Sequence, residues 1–454
     1  MSNDTTRLFG LNGVAVVGVE VADDDIPMLA LVTCDEQARC CPGCGVRSER
    51  PHSWVCTRPR DLPVAGRRTG LAWTKRRWRC LNQQCRRMTF TESLPGIPPR
   101  SRLTSRLRTS IGEAVANGRR TVVQSARDHE VSWPVANAAF TTAAQAALPK
   151  DTPPVTHLGI DETRRGKAKF RLVEGPDGGE VWEVVADRWH VGLVDLSGGA
   201  GLLGQVEGHT AASVSSWIDK QSALWRAGVQ VVAIDMCTVF KAAVRDSLPH
   251  ARLVVDRFHV AQLANAAVTE VRRRVTVQHR GRRGRKGNRE WELPNRLTRS
   301  AARMHADHLD PMVADLKALP KQIGEPILAA WNCKEDLMDL LALHGTNPDR
   351  TTICRLLTAF YESAAASGLP ELERLATTVS TWWPQILAAI TTGVTNAASE
   401  GINRAIKTDA RCAYGYRNPV NQRRRARCAT TRRARGHPAT RTSGRHAQPR
   451  KPSI

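Results

Sequence analysis

The 454-residue sequence contains no apolar run approaching the roughly 18 residues that a membrane-spanning helix requires. Its N-terminus, MSNDTTRLFG, has no basic segment followed by an apolar stretch, so no secretory signal is visible. The sequence also lacks a glycine-rich phosphate loop and a Ser-His-Asp nucleophile motif. These absences argue against membrane insertion, secretion and nucleotide hydrolysis, and we expect a cytoplasmic protein with reduced thiols.

Acidic residues are scarce relative to basic ones. The 67 Lys and Arg residues against 43 Asp and Glu residues give a formal net charge of +24. Self-repulsion of that size disfavours a lone compact chain, so a polyanion is the natural partner. We therefore expect double-stranded DNA as the partner and association with the nucleoid, without membrane binding.

Cysteines are concentrated near the N-terminus, where seven of the 12 lie between Cys34 and Cys85. CPGCG and CLNQQC have spacings that favour one tetrahedral Zn²⁺ site. The predicted ligands are Cys41, Cys44, Cys80 and Cys85. Cys40, His52 and Cys56 remain competitors for a ligand place. Basic residues and tryptophans around these motifs indicate a phosphate-contacting face.

Three helical segments follow a breaker-rich linker at 95–99. The periodicity predicts helices over 103–117, from Thr121 to about Glu130, and over 135–147. Thr121 and Gln124 form a predicted capping box, and Ser132 is the predicted N-cap of the third helix. The pattern is typical of a helix-turn-helix domain.

Beyond a second linker at 150–154, strands alternate with helices. Predicted strands cover 155–160, 170–173, 181–187, 191–196, 229–234 and 252–255, and predicted helices cover 210–225 and 237–247. This order indicates a ribonuclease-H-like mixed sheet with crossover helices. We expect helices from 259 to about 390, interrupted by a basic loop at 272–289, and then one helix over 391–417.

Two strand-borne aspartates and one helical glutamate are the predicted catalytic residues. Asp161 and Asp235 each follow a buried strand, so adjacent strands would bring them close together. Glu400 would complete an oxygen shell for Mg²⁺ or Mn²⁺, which activates the attacking oxygen and stabilises the leaving one. On that helix we expect Asn396, Glu400, Asn403 and Lys407 on one face and Ala398, Ile402, Ala405 and Ile406 on the core-facing side. Asp256 is the rival for Asp235, and His259 is either an accessory or a structural residue.

Several basic or polar side chains are expected to contact DNA. They are Arg76, Arg77, Ser132, Trp133, Asn137, Arg282, Arg283, Arg285, Lys286, Arg404 and Lys407. The segment from Arg417 to Ile454 has 12 Lys or Arg residues and no acid, and we expect a disordered basic arm there.

These motifs together resemble a known family. CPGCG, ARDHEVSW, GIDE, AIDMCTVFKAAV, VVDRFHVAQL, SEGINRAIK and GYRNP resemble, in this order, the insertion-sequence transposases of the ISL-three family. The resemblance implies a DDE transposase that binds terminal inverted repeats and cuts and joins DNA. It implies that GIDE, AIDM and SEGIN carry the acidic residues Asp161, Asp235 and Glu400.

The expected fold class is α/β, with a ribonuclease-H-like core and a large helical insertion behind a zinc module and a helix-turn-helix domain. The expected segments are a zinc module at 1–95, helix-turn-helix domain at 100–150, core at 154–260, insertion at 261–390, final core helix at 391–416 and tail at 417–454. Paired element ends predict a homo-oligomer, at least a dimer. A catalytically inactive DNA-binding regulator is the alternative, and an RNA-strand nuclease is a weaker one.

Overall fold

The computed structural model describes residues 4–21, 26–64 and 68–436. The chain divides into two compact units, Met1–Pro149 and Lys150–Ile454. Within the described residues, no helix has both the length and the apolar character needed to cross a bilayer.

The first unit begins with a five-stranded sheet. Its elements are α1 (Asp4–Phe9), β1 (Val14–Val21), β2 (Pro27–Thr33), β3 (Pro51–Thr57), β4 (Gly70–Arg79) and β5 (Thr89–Thr91). The strand order is β1-β2-β4-β3, and β5 pairs with β4. Leu31, Leu71 and Trp73 are buried in the core beneath this sheet.

Three helices follow in the first unit: α2 (Ser105–Ala116), α3 (Val122–Asp128) and α4 (Trp133–Ala147). The predicted capping box is present, since Gln124 N donates to Thr121 Oγ1 at 3.1 Å and Thr121 N donates to Gln124 Oε1 at 3.0 Å. Gly112 lets α2 and α4 approach, because a Cβ there would lie 2.5 Å from the Ala139 carbonyl oxygen. The three predicted helices are confirmed to within a few residues.

The second unit contains a five-stranded mixed sheet and a separate hairpin. Its strands are β6 (His157–Arg164), β7 (Lys169–Glu174), β8 (Glu180–Ala186), β9 (Trp189–Asp195), β10 (Leu202–Glu207), β11 (Val231–Ile234) and β12 (Arg252–Val255). The main sheet has the order β10-β9-β6-β11-β12. Its β6–β9 and β9–β10 pairs are antiparallel, whereas β6–β11 and β11–β12 are parallel.

The structure corrects the predicted order of the early strands. β7 and β8 pair only with each other, and their side chains are largely exposed. β10, which the sequence reasoning omitted, is the edge strand of the main sheet. The predicted helix over 210–225 is two helices, α5 (Ala211–Asp219) and α6 (Ala223–Gly228), because Ser222 caps a new helix through Trp225 N.

A long helical region follows α7 (Thr238–Ser247). It comprises α8 (Arg257–Arg280), α9 (Arg289–Glu292), α10 (Pro294–Leu297), α11 (Ala306–Ala318), α12 (Lys321–Ala342), α13 (Arg350–Ser367), α14 (Pro370–Thr381) and α15 (Trp383–Thr392). The prediction of a basic loop starting at residue 272 is wrong for its first half. Val275 and Thr276 are buried, and α8 continues to Arg280 before Gly281 ends it at φ 65°.

The last two helices are α16 (Ala397–Cys412) and α17 (Pro419–Thr430). The predicted single helix over 391–417 is interrupted, because Gly393 adopts a left-handed conformation at φ 68°. The predicted disordered arm is wrong for its first part, since Ala426 of α17 packs with Ile406. Residues 437–454 of that predicted arm lie outside the described residues.

The burial of α16 also differs from the predicted pattern. The predicted core residues Ala398 and Ala405 are exposed, whereas Asn403, expected on the polar face, is buried. Ile406 is buried as expected. Asn403 is buried because it contacts polar side chains of β6, Asp161 and Thr163.

Candidate zinc centre, active site and nucleic-acid interface

Four cysteine sulfurs converge in the first unit. Cys41 and Cys44 lie on a turn that Gly45 completes at φ 72°, and Cys80 and Cys85 flank the turn that follows β4. The Sγ atoms of Cys41 and Cys85 are 3.9 Å apart, and those of Cys44 and Cys80 are 3.6 Å apart. All four Sγ atoms lie within 4.8 Å of one another.

This arrangement fits tetrahedral zinc. Burial acts to raise the pKa of the Cys41 thiol, but backbone N–H groups of Gly43 and Cys44 outweigh it and lower this pKa to about 7. Buried Trp78 and Phe90 pack against the cluster. The four predicted ligands are therefore the set that the fold assembles, and the competitors Cys40, His52 and Cys56 are not part of it.

In the second unit, the two predicted catalytic aspartates lie where the parallel pairing of β6 with β11 stops, although Asp161 is inside β6, which continues to Arg164, rather than after it as expected. Ile160 of β6 is in register with Ile234 of β11, and Asp161 and Asp235 directly follow these two residues. Asp161 is 7% exposed and accepts hydrogen bonds from Asn403 Nδ2 and Glu162 N, both at 2.7 Å. The parallel register thus brings both carboxylates to one edge of the sheet.

Both aspartates have raised pKa values. Burial raises the pKa of Asp161 to about 7, with a further contribution from the charge of Asp235. Burial raises the pKa of Asp235 to about 6; the Asn396 side chain opposes this shift, and the charges of Asp256, Glu162 and Glu400 add to it. A cation bound between such groups would remove the repulsion that disfavours their ionised forms.

Asp235 has an oxygen that is free to bind a cation. Its Oδ2 lies 3.2 Å from His259 Nε2, whereas its buried Oδ1 lies near the Asn396 side chain but makes no hydrogen bond of good geometry within the described part of the chain. An unsatisfied buried carboxylate oxygen is unfavourable without a ligand. The residues at this edge therefore fit a hard divalent cation, which prefers carboxylate oxygens.

Glu400 lies in the first turn of α16, half-buried, and its charge acts on Asp235. The three carboxylates are nevertheless not drawn into one tight cluster. Among the described residues, the four cysteines alone form a set of three or more ligand atoms within 4.8 Å of one another. The fold brings Glu400 to the same end of the sheet as the aspartates, but it does not close the three around one point.

Asp256 and His259 have different surroundings. Asp256 is buried, caps α8 by accepting from Phe258 N at 2.9 Å, and accepts from Asn396 N at 3.0 Å. Both of its oxygens are thus used in joining α8 and the start of α16 to the sheet. His259 contacts Asp235 directly. The unsatisfied Oδ1 of Asp235 favours Asp235 over Asp256 as a cation ligand.

Sequence reasoning missed the polar contacts that fix α16 on the sheet. Asn403 donates to Asp161 and accepts from Thr163 Oγ1 at 2.5 Å. Gly159 on β6 allows the helix to approach, because a Cβ there would lie 2.3 Å from Ser399 Oγ and 2.8 Å from Asn396 Oδ1. The sequence signal that could have predicted these contacts was the placement of Asn396 and Asn403 on the same helix face as Glu400.

Another missed group is Glu162, which follows Asp161 on β6. Its carboxylate contacts His209 Nε2, and its charge raises the pKa of Asp235. Glu162 is therefore a further acidic group at this edge of the sheet.

The predicted DNA-contacting residues of the first unit fall into two groups. Arg76 is held by Glu92, with Nε 2.8 Å from Oε1, and its guanidinium lies over Trp78. That pairing indicates a structural role. Arg77 is more open but donates to Thr89 Oγ1. Ser132 and Trp133 are exposed at the start of α4, and Asn137 lies one turn further along the helix.

The predicted contacts of the second unit are all exposed. Arg282, Arg283, Arg285 and Lys286 lie on the turn between α8 and α9, and Arg404 and Lys407 lie on α16. The turn borders a groove of about 700 Å³ that is also lined by Arg273 and Trp291. Trp291, which is 45% exposed, was not predicted as a contact.

A four-cysteine module and a three-helix segment thus precede a mixed α/β unit in which Asp161 and Asp235 are neighbours on adjacent strands. Family models match all three parts: the zinc-finger of transposase IS204/IS1001/IS1096/IS1165 at residues 37–85, the helix-turn-helix domain of transposase family ISL3 at 92–144, and the ISL3 transposase domain at 158–426. The last match covers more than half of the chain, and the chain belongs to the ISL3 family of transposases.

The chain is similar to the transposase for insertion sequence element IS1001 of Bordetella parapertussis. The two are 26% identical over 418 residues, which cover 90% of this chain and 94% of that protein. A chain of the Drosophila P element transposase strand transfer complex aligns with a TM-score of 0.36 and 9% identity, covering 71% of this chain and 90% of that one. A structural likeness at that level does not define the fold.

Proposed function

We propose that this transposase uses Asp161, Asp235 and Glu400 as a DDE site that holds Mg²⁺ or Mn²⁺. The observation that carries the proposal is the pair of neighbouring aspartates with raised pKa values, buried Asp161 and partly buried Asp235, the second of which has an unsatisfied buried oxygen. When bound, the metal supplies activation of the attacking oxygen and stabilisation of the leaving oxygen.

The core is proposed to be ribonuclease-H-like. Three antiparallel strands followed by two parallel strands, with crossover helices, support this fold class. Helices α8–α15 lie in sequence between the last strand and α16, so they form the large helical insertion. The proposed domain bounds are those expected from the sequence, except that the final core segment starts with α16 at Ala397 and extends through α17, which packs with it.

The protein's own side chains hold the carboxylates in place. Asn403 Nδ2 donates to one oxygen of Asp161 and Glu162 N donates to the other. His259 contacts Asp235 Oδ2, and Oδ1 is left for a cation. Asp256 anchors the start of α16 and thereby positions Glu400. Pre-organised carboxylates of this kind lower the reorganisation needed when DNA binds.

The proposed substrate is double-stranded DNA at the terminal inverted repeats of an insertion element. Ser132, Trp133 and Asn137 at the start of α4 are proposed to contact the major groove. Arg77, Arg282, Arg283, Arg285, Lys286, Arg404 and Lys407 are proposed to contact phosphates. Arg76 supports this surface through its contacts with Glu92 and Trp78. Because an insertion element has two ends, we propose that the protein acts on DNA as at least a dimer. We also propose that it is associated with the nucleoid.

Plasmid cleavage tests the proposal. A plasmid carrying the DNA that flanks the gene on both sides is incubated with purified protein and Mg²⁺, and 3′-hydroxyl ends are mapped. We expect cuts at inverted-repeat tips that disappear in Asp161→Ala and Asp235→Ala. Mn²⁺ binding, measured by electron paramagnetic resonance, should weaken in the same variants. This measurement does not depend on cleavage activity.

Two outcomes would contradict the proposal. Cuts that persist in Asp161→Ala would place the chemistry elsewhere. Footprints on the repeats without cuts, together with no Mn²⁺ binding, would favour the DNA-binding regulator.

A further inference from the structure

A basic cleft of about 890 Å³ opens beside the carboxylates, between the end of β6, the hairpin β7–β8 and the C-terminal half of α16. β6 carries Asp161 and α16 carries Glu400, and both elements continue directly into the walls of this cleft. Thr163 and Ile406 line its inner part. A DNA strand that reaches the carboxylates along these two elements therefore passes through the cleft.

The described lining of the cleft contains eight Lys or Arg residues and no acidic residue. Two of the eight side chains are paired within the protein. Arg164 Nη2 lies 2.6 Å from the Asp187 carboxylate, and Arg165 Nη2 donates to the carbonyl oxygens of Tyr416 and Arg417 at 3.0 Å each. The other six are exposed, with no carboxylate within 4.0 Å in the described parts of the chain: Lys167, Lys169, Arg188, Lys407, Arg411 and Arg417. Unpaired cations at this density attract phosphates.

An aromatic side chain stands at the rim of this cleft. Tyr414 is 100% exposed and has a φ of 54°, a left-handed conformation that a tyrosine rarely adopts. Its backbone is held there, because Tyr414 N donates to Arg411 O at 3.0 Å and Gly415 N donates to Ala410 O at 2.8 Å. The chain thus fixes a strained backbone while leaving the ring in solvent.

The neighbouring Tyr416 shows what a structural tyrosine in this segment looks like. Its hydroxyl donates to Asp409 Oδ2 at 2.7 Å, and burial and the charge of Asp409 raise its pKa well above the usual range. Arg425 completes the contact, with Nε 3.0 Å from Asp409 Oδ1. Tyr416 therefore anchors the segment, and Tyr414 has no comparable packing role.

We propose that the basic cleft binds an unpaired nucleotide of the DNA strand beside the carboxylates, with its base stacked on Tyr414 and its flanking phosphates on the six unpaired cations. An aromatic ring with phosphate-binding cations beside it is the arrangement that binds single-stranded DNA without sequence preference. The volume of the cleft is sufficient for a nucleotide. The inference rests on the proposed function, because it takes DNA at the carboxylate site as the substrate.

Base stacking can be tested without cleavage. The probe is a short single-stranded oligonucleotide carrying 2-aminopurine, whose fluorescence falls when the base stacks, in buffer without added Mg²⁺ or Mn²⁺. We expect the wild-type protein to quench the fluorescence of the probe. Tyr414→Ala should lose the part of the quenching that arises in the cleft and should bind the probe about tenfold more weakly, whereas Tyr414→Phe should quench like the wild-type protein. Tyr414→Gly should lose the quenching while remaining at least as stable to heat, since glycine accepts the positive φ.

Charge variants test the phosphate contacts. Lys167→Ala and Arg411→Ala should each reduce the salt dependence of oligonucleotide binding by about 0.7 in the log–log slope. Lys220→Ala, an exposed cation at the end of α5 outside the cleft, is the matched control and should leave the slope unchanged. Equal slopes for the three variants would remove the cleft as the phosphate site.

Unchanged quenching in Tyr414→Ala would overturn the stacking role. Equal loss of affinity for single-stranded and blunt duplex DNA in that variant would also overturn it, because a base inside a duplex cannot stack on the ring. A protein that quenches the probe but never cuts plasmid would refute the proposed function alone. A protein that cuts plasmid without stacking the probe would refute this inference alone.

Discussion

Replacing Gly159 by alanine should displace α16 from the sheet and with it Glu400. The added Cβ would lie 2.3 Å from Ser399 Oγ and 2.8 Å from Asn396 Oδ1, and both residues belong to the start of α16. Restoring ordinary contact at 3.4 Å requires a shift of about 1.1 Å (3.4 − 2.3) at Ser399. Overpacking of this kind costs about 1–3 kcal/mol of folding stability.

The effect on cleavage should exceed the effect on stability. A misplacement of about 1 Å in a reacting constellation can cost about 100-fold in rate. We expect Gly159→Ala to unfold at lower urea concentration by circular dichroism, to cut plasmid about 100-fold more slowly in single turnover, and to bind element ends normally through the first unit.

Gly192→Ala is the matched control. Gly192 lies on β9, directly opposite Asp161 in the sheet, yet a Cβ there meets its nearest atom, Leu202 Cδ1, at an ordinary 3.5 Å. Adding Ser399→Ala to Gly159→Ala removes the closest atom and should recover part of the rate. If Gly159→Ala cut DNA as fast as Gly192→Ala, the contact between α16 and β6 would not position Glu400.

Three other predictions concern the two proposed metal sites. Glu400→Gln should abolish strand cleavage and leave end binding nearly intact in a gel-shift assay; equal loss of both would make Glu400 structural. Cys41→Ser should release zinc, measured by mass spectrometry, and weaken end binding, whereas unchanged zinc content would remove Cys41 from the ligands. Because the folded pKa values of Asp161 and Asp235 are raised to about 7 and about 6, the metal-free protein should lose stability as pH rises from about 4 to 7. Added Mg²⁺ should restore it at pH 8, and a melting temperature that is flat with pH in the absence of added Mg²⁺ would contradict this.

Local sequence determined much of the first unit. The CPGCG spacing and the turn after β4 place cysteine pairs on tight turns, and the four sulfurs do come within 4.8 Å of one another. The Thr121–Gln124 capping box sets the start of α3, and Ser132 occupies the predicted N-cap position of α4, although its side chain makes no capping hydrogen bond. These features depend on residues a few positions apart, so a linear reading can find them.

The same holds for the ends of the buried strands in the second unit. Apolar runs that end in Asp161 and Asp235 predicted two adjacent strands, and parallel pairing of β6 with β11 brings these ends together. The identity of the edge strand was not accessible in this way. β7 and β8 alternate like sheet strands but lie exposed in a separate hairpin, and β10 pairs with β9 instead.

Tertiary structure alone decided where polar and basic segments are buried. Basic composition predicted a loop from residue 272 and an arm from residue 417, yet α8 and α17 are helices whose buried faces pack against other elements. Likewise, the role of Asn403 depends on Asp161, 242 positions away. Charge and periodicity describe each segment by itself, whereas burial depends on partners that are distant in sequence and are brought close only by folding.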